Sequence, residues 1–194
     1  MSGTLRRILN YPARLRRTKG FGVHSPFAYE FITEVVRPPK GYDYYAYDKI
    51  ERVCRLYSGK REVRYAKLLF RLLCRYNPAE VDCQGKLSVG ISTALEEAAR
   101  FRRYQTGAFI KRALIMEPSQ VSADIQQTSK WVHGCLAEGE CIVVATQMSS
   151  HDYQLRLWES VAASSYPGMG FTDGNIGIFV AHSGLPHLIF DVVI

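Results

Sequence analysis

Nowhere in the 194 residues does an apolar run approach the ~18 residues that a membrane-spanning helix needs. The five cysteines (Cys54, Cys74, Cys83, Cys135 and Cys141) are odd in number and form no Cys-x-x-Cys pair. That argues against a disulfide framework and against a zinc ribbon, and most of them read as small buried hydrophobes. His24, His133, His151, His182 and His187 are too dispersed for an i,i+4 metal pair, although "HSGLPH" puts the last two at the ends of a turn. There is no Gly-x-Ser-x-Gly elbow and no phosphate-binding Gly-Lys-Ser/Thr loop. "SSHD" (Ser149 to Asp152) has triad residue types, but neighbours in sequence seldom converge in space, so it reads as a capped helix start. The N-terminus is basic and lacks a signal-peptide h-region, which points to a cytoplasmic protein. No repeat or low-complexity segment is present.

What the chain does have is charge asymmetry. Its net charge is +7, and residues 1–78 hold 17 Lys and Arg against 6 Asp and Glu, whereas residues 79–194 hold 8 against 12. The sequence therefore divides into a basic helical N-terminal extension, 1–78, and a second region, 79–194. The basic part is either a solvated helical face or a contact for an acidic partner or nucleic acid. "VHSPFAYEFITEVVRPP" predicts a helix capped by Ser25, with Pro26 in its first turn and Phe27, Phe31, Ile32, Val35 and Val36 on one side. Two more helices are predicted over "YDYYAYDKIERVCRLYSG" and "EVRYAKLLFRLLCRYN". The cluster Tyr42, Tyr44, Tyr45 and Tyr47 reads as helix packing or as a stacking surface for bases.

From Ala79 the period changes. "AEVDCQG", "IKRALIME" and "ECIVVAT" read as strands, with "ISTALEEAARFRRY", "SADIQQTSKWVHGCL" and "HDYQLRLWESVAA" as helices. The chain ends in "NIGIFVAHSGLPHLIFDVVI", read as two strands around a Ser-Gly-Leu-Pro turn. That pattern predicts an α/β sandwich of five strands, mostly parallel, closed by a C-terminal antiparallel hairpin. A sheet so short leaves an edge open, which a homodimer would cover.

In an open parallel sheet, ligands bind beyond the carboxyl ends of the strands. Gly85 and Gly90 follow the first strand, where glycines let a ligand approach the backbone and the next helix offers free N–H groups. Glu117 ends the second strand, where an ionised carboxylate can accept both hydroxyls of a ribose. "DCQGKLSVGISTAL" and "ALIMEPS" resemble the glycine loop and ribose strand of the class I S-adenosylmethionine-dependent methyltransferases, especially the small O-methyltransferase-like bacterial subgroup. "CLAEGECIVVATQM" and the closing strands are similar to later parts of that family's fold, and "GFGVHSPFAYEFITEVV" to its helical lead-in. The resemblance implies a Rossmann-like sandwich, with S-adenosylmethionine or S-adenosylhomocysteine held by Asp82, Gly85, Gly90, Ser92 and Glu117.

The departures bear on activity. Cys83 stands where the family has an acid, and Asp82, one residue back, would point to the other face of its strand. The loop "GKLSVG" is one residue longer and brings Lys86 towards a sulfonium cofactor. Ala145-Thr146 replaces the acidic pair that holds a divalent metal in the metal-dependent branch, so no metal and no catalytic residue is expected. About two strands with their crossovers are missing from the middle of the sheet. These features predict a methyltransferase-like protein that is weak or inactive as an enzyme, or a non-catalytic binding or scaffold protein using its basic helices.

Overall fold

The structure, a computed structural model, describes residues 11–19, 22–38, 45–57, 59–102, 110–118 and 125–194. Tyr42 and Tyr44 lie outside them; of their neighbours, Tyr47 is buried and Tyr45 is exposed. Helix α1 (Tyr11–Thr18) is tied to the C-terminus by Arg14, whose guanidinium lies 2.7 Å from both the Asp191 carboxylate and the Val192 carbonyl oxygen. Ser25 caps α2 (Pro26–Glu30) by accepting the Ala28 N–H at 3.2 Å. The same run continues over Phe31–Val36 as a π-helical turn, a wider coil than the regular helix predicted there. Arg71 holds that turn: its Nε donates to the Val35 carbonyl at 2.6 Å, and its other nitrogens reach Tyr47 Oη (2.8 Å) and the Val36 carbonyl (3.4 Å).

Helix α3 (Ala46–Tyr57) leads to α4 (Lys60–Tyr76), whose stripe of Leu68, Leu69, Leu72 and Leu73 is fully buried. Asn77, left-handed at φ 41°, ends α4 by donating its N–H to the Leu73 carbonyl. Helices α2 to α4, with the π-turn, share one continuous core with a face of the sheet.

Among the described residues the sheet has six strands: β1 (Glu80–Gln84), β2 (Arg112–Met116), β3 (Cys141–Ala145), β4 (Gly168–Thr172), β5 (Gly177–Ala181) and β6 (Leu188–Asp191). Their spatial order is β1-β2-β3-β5-β4-β6, and β5 alone runs against the rest. The expectation of five strands missed β4, and the expected terminal hairpin is corrected. The true hairpin joins β4 to β5 through Asp173–Ile176, and β6 crosses over to pair in parallel with β4 at the edge. Gly168 and Gly170 in "GMGFT" hide that strand, because a glycine-rich run carries no β signal.

Side chains alternate between two layers. Ala113, Ile115, Ile142 and Val144 face α2–α4 and helix α5 (Val89–Arg102). Leu114, Met116, Val143 and Ala145 face helices α6 (Ile125–Glu138) and α7 (Asp152–Ala162). The crossovers β1–α5–β2, β2–α6–β3 and β3–α7–β4 all advance in one direction across the sheet. Two carry their helices on one face and the first carries α5 on the other, so the first has the opposite hand. Since such crossovers are right-handed in nearly all proteins, β1–α5–β2 is the left-handed exception.

Candidate functional site

The carboxyl ends of β1, β2 and β3 open into a cleft of about 250 Å³, walled by Glu62 and Tyr65 of α4, Ser88, Glu117, Thr146 and Asn175. Three of the five residues expected to hold a cofactor lie at or beside it, and each already has a partner within the chain.

Gly85 follows β1 with φ +90°, and a Cβ there would stand 1.9 Å from the Glu117 carbonyl oxygen. Its missing side chain makes room for the β2 exit. The stitching continues on either side: Lys86 N–H donates to the Pro118 carbonyl at 3.1 Å and Glu117 N–H to the Gln84 carbonyl at 2.8 Å. Lys86 itself is exposed and outside the cleft walls.

Ser88 begins α5, its Oγ accepting the Ile91 N–H at 3.3 Å. In that first turn, Gly90 N–H donates to Glu62 Oε1 at 2.8 Å. A Cβ on Gly90 would lie 2.5 Å from that oxygen and 2.6 Å from Cys54 Sγ. A helix N-terminus attracts an anion, and here the anion is a side chain from α4.

Glu117 is 3 % exposed. Thr146 Oγ1 donates to its Oε1, and Gln147 Nε2 to its Oε2 at 3.3 Å. Burial pushes its carboxyl above the ordinary range; the bonds from Thr146, Gln147 and the Ser88 N–H pull it back, and the Glu62 charge adds to the rise. Tyr65 donates to Asp173 Oδ2 at 2.9 Å and accepts from Asn175 Nδ2 at 3.2 Å. Burial, with the Asp173 charge behind it, pushes that phenol up to about 12.

Asp82 is not brought to the cleft. Its carboxylate points to the α6 side of the sheet, 3.3 Å from Arg112 Nε, beside the Glu80–Arg112 pair. Ser92 sits half-buried one turn into α5, outside the cleft walls, with its N–H on the Ser88 carbonyl. Cys83 is exposed, while the other four cysteines are buried. His187 lies between the Tyr166 and Ala162 carbonyls and His133 beside Ser160, which are packing roles. Among the described residues, no group of three or more His, Cys, Asp and Glu side chains comes together as metal ligands, and no helix is long and apolar enough to cross a membrane.

Glu62, Tyr65, Asp173 and Asn175 were missed as site residues. The turn "DGN" is a hairpin signal that marks the last two, whereas nothing local distinguishes Glu62 from a solvated helix acid.

No family model matches this chain, and neither does any curated protein or solved structure.

A nucleoside cofactor on such a scaffold needs free amides at the start of α5 and a carboxylate free to accept a ribose diol. Here Glu62 takes the Gly90 amide, Thr146 and Gln147 take both oxygens of Glu117, and Gly85 backs onto β2. The residues present do not fit that group.

Proposed function

We propose that this chain is a methyltransferase-like α/β protein that no longer transfers methyl groups and serves as a binding protein. The observation that carries this reading is the Glu62 carboxylate on the Gly90 amide, which closes the cofactor end of the cleft from within. The left-handed β1–α5–β2 crossover supports the same history. Removing two strands and their helices from a doubly wound sheet would join a helix on one face to a strand lying the wrong way for it.

The partner surface is the basic side of α3 and α4. Arg52, Lys60, Arg61 and Arg64 are exposed there without an ion pair among the described residues, beside Leu56 and Tyr57, each 71 % exposed. Cations around an accessible aromatic ring suit an anionic partner, and single-stranded RNA is the probe that uses both features.

Calorimetric titration with S-adenosylmethionine and S-adenosylhomocysteine tests the first half. The expected result is no heat at millimolar ligand. Micromolar binding that Glu117→Ala abolishes would overturn the reading. For the second half, affinity for a mixed-sequence RNA should fall steeply between 50 and 200 mM salt, on the order of tenfold or more, and should fall further in Lys60→Glu/Arg64→Glu.

A further inference from the structure

The end of the sheet opposite the cleft holds a larger hollow, about 400 Å³, where α2, the last turn of α4 and the β5–β6 connection meet. Its apolar lining begins with Phe27, Phe31 and Tyr76. Their ring centroids stand 6.3, 6.3 and 6.4 Å apart, a nearly equilateral triangle. Ile110 and Val180 at the sheet end and Leu185 on the connection complete it. None of these residues belongs to the Glu117 cleft.

Two polar features give the hollow a chemistry. The Tyr76 hydroxyl has no hydrogen-bond partner among the described residues, and burial holds the phenol well above its ordinary range, so it keeps its proton and can donate. At the rim, Arg75 pairs with Glu30 and lies 3.4 Å from Glu34, so two carboxylates surround one guanidinium. An incoming carboxylate would meet a cation already matched and a second acid left over. A neutral or cationic group would meet no such penalty, and a cation would also be drawn to the ring faces. His182, on the rim, accepts the Gly184 N–H on Nδ1 at 3.0 Å, which fixes the connection beside the opening.

We propose that this hollow is a binding site for a small apolar molecule of one or two rings. The ligand carries a neutral or cationic hydrogen-bonding end that reaches the Tyr76 hydroxyl, and the site discriminates against carboxylates. Its volume falls within the range of small-molecule pockets, and an apolar wall with a few directed polar groups is the usual composition of such a site.

Three probes of matched size test it on the full chain by calorimetry: 2-phenylethylamine, 2-phenylethanol and 3-phenylpropionate. The amine and the alcohol should bind saturably, and the acid at least tenfold more weakly. Leu185→Trp, which fills the hollow from the connection, should abolish amine binding while leaving the melting temperature unchanged. Tyr76→Phe should weaken the alcohol about threefold to tenfold, the equivalent of one hydrogen bond. Tyr76→Phe removes one oxygen atom, so it gives a readout even if the Trp variant folds poorly. Absence of saturable heat from all three probes, equal binding of the acid, or Tyr76→Phe leaving the alcohol unaffected would each overturn the proposal. The cofactor titration above reads the other end of the sheet, so either result stands without the other.

Discussion

The carboxylate of Glu62, on α4, accepts the Gly90 N–H at 2.8 Å and so caps a helix to which it does not belong. An N-terminal cap is worth about 1 kcal/mol, and Glu62→Ala should lower stability by about that amount in urea unfolding. Glu62→Gln keeps an acceptor and should recover most of the loss. Gly90→Ala should cost more, about 2 kcal/mol, because its Cβ would meet Glu62 Oε1 at 2.5 Å and Cys54 Sγ at 2.6 Å. In the double variant the acid is gone and only Cys54 obstructs. The two losses should then fall short of additivity by about 1 kcal/mol, and strict additivity would mean that the residues do not touch.

Glu117 makes stability depend on pH in a direction opposite to that of an ordinary paired acid. Its folded carboxyl lies above the usual 4.5 because burial outweighs the bonds from Thr146, Gln147 and Ser88. Between 4.5 and the raised value, the folded chain holds a proton that the unfolded chain has released. Stability from this group is therefore present below the ordinary value and lost as pH rises through the folded one. Glu117→Gln should remove that loss: the wild type should fall relative to the variant as pH is raised from 4 to 7 in parallel urea titrations. A difference independent of pH would show that the carboxylate titrates as it does in the unfolded chain.

Local signals carried the helices from α2 onward and five of the six described strands, though not the pairing of the last two. Ser25 and Pro26 start α2, the Leu stripe forms α4, and the β-branched and apolar runs of β2 and β3 are buried as their composition requires. Long-range contacts decided the rest. Gly170 of "GMGFT" leaves room for Ile189 and Trp158, and Gly177 of β5 leaves room for Trp158 of α7; no local rule relates a helix Trp to glycines 12 and 19 residues later. β6 pairs with β4 rather than with the strand before it, a choice made by the sheet edge. At the site, position was legible and occupancy was not. Gly85 lies against the Glu117 backbone at the ends of β1 and β2, and Gly90 starts α5, yet the Glu62 that takes the Gly90 amide comes from 28 residues upstream.

Arg71 is a buried cation whose partners are backbone carbonyls and a phenol. The π-turn of Phe31–Val36 leaves its last carbonyls without helical partners, and the guanidinium fork satisfies those of Val35 and Val36 together. Arg71→Met, similar in length but without donors, should lower stability by about 2–4 kcal/mol, because two buried acceptors and the Tyr47 hydroxyl lose a donor at once. Arg71→Lys should recover only part, since an ammonium cannot span the fork. Urea unfolding of both variants separates these outcomes, and a full recovery by lysine would mean that charge alone holds the turn.

Trp158 and Gly177 lock α7 to the sheet. A Cβ on Gly177 would enter the indole at 2.4–2.5 Å, and the same ring lies 3.2 Å from where a Cβ on Gly170 would stand. The ring is 6 % exposed within the α6–α7 core, so it has nowhere to move without opening a void beside Leu157 and Val161. Gly177→Ala should therefore cost about 2–3 kcal/mol and red-shift the Trp158 emission, read in a Trp131→Phe background so that one indole reports. Trp158→Phe is smaller and should cost about 1–2 kcal/mol alone. Combined with Gly177→Ala it should cost less than the sum, because the smaller ring leaves space for the new methyl. If the double variant is as unstable as the two losses added, the strain lies in the β5 backbone and not against the ring.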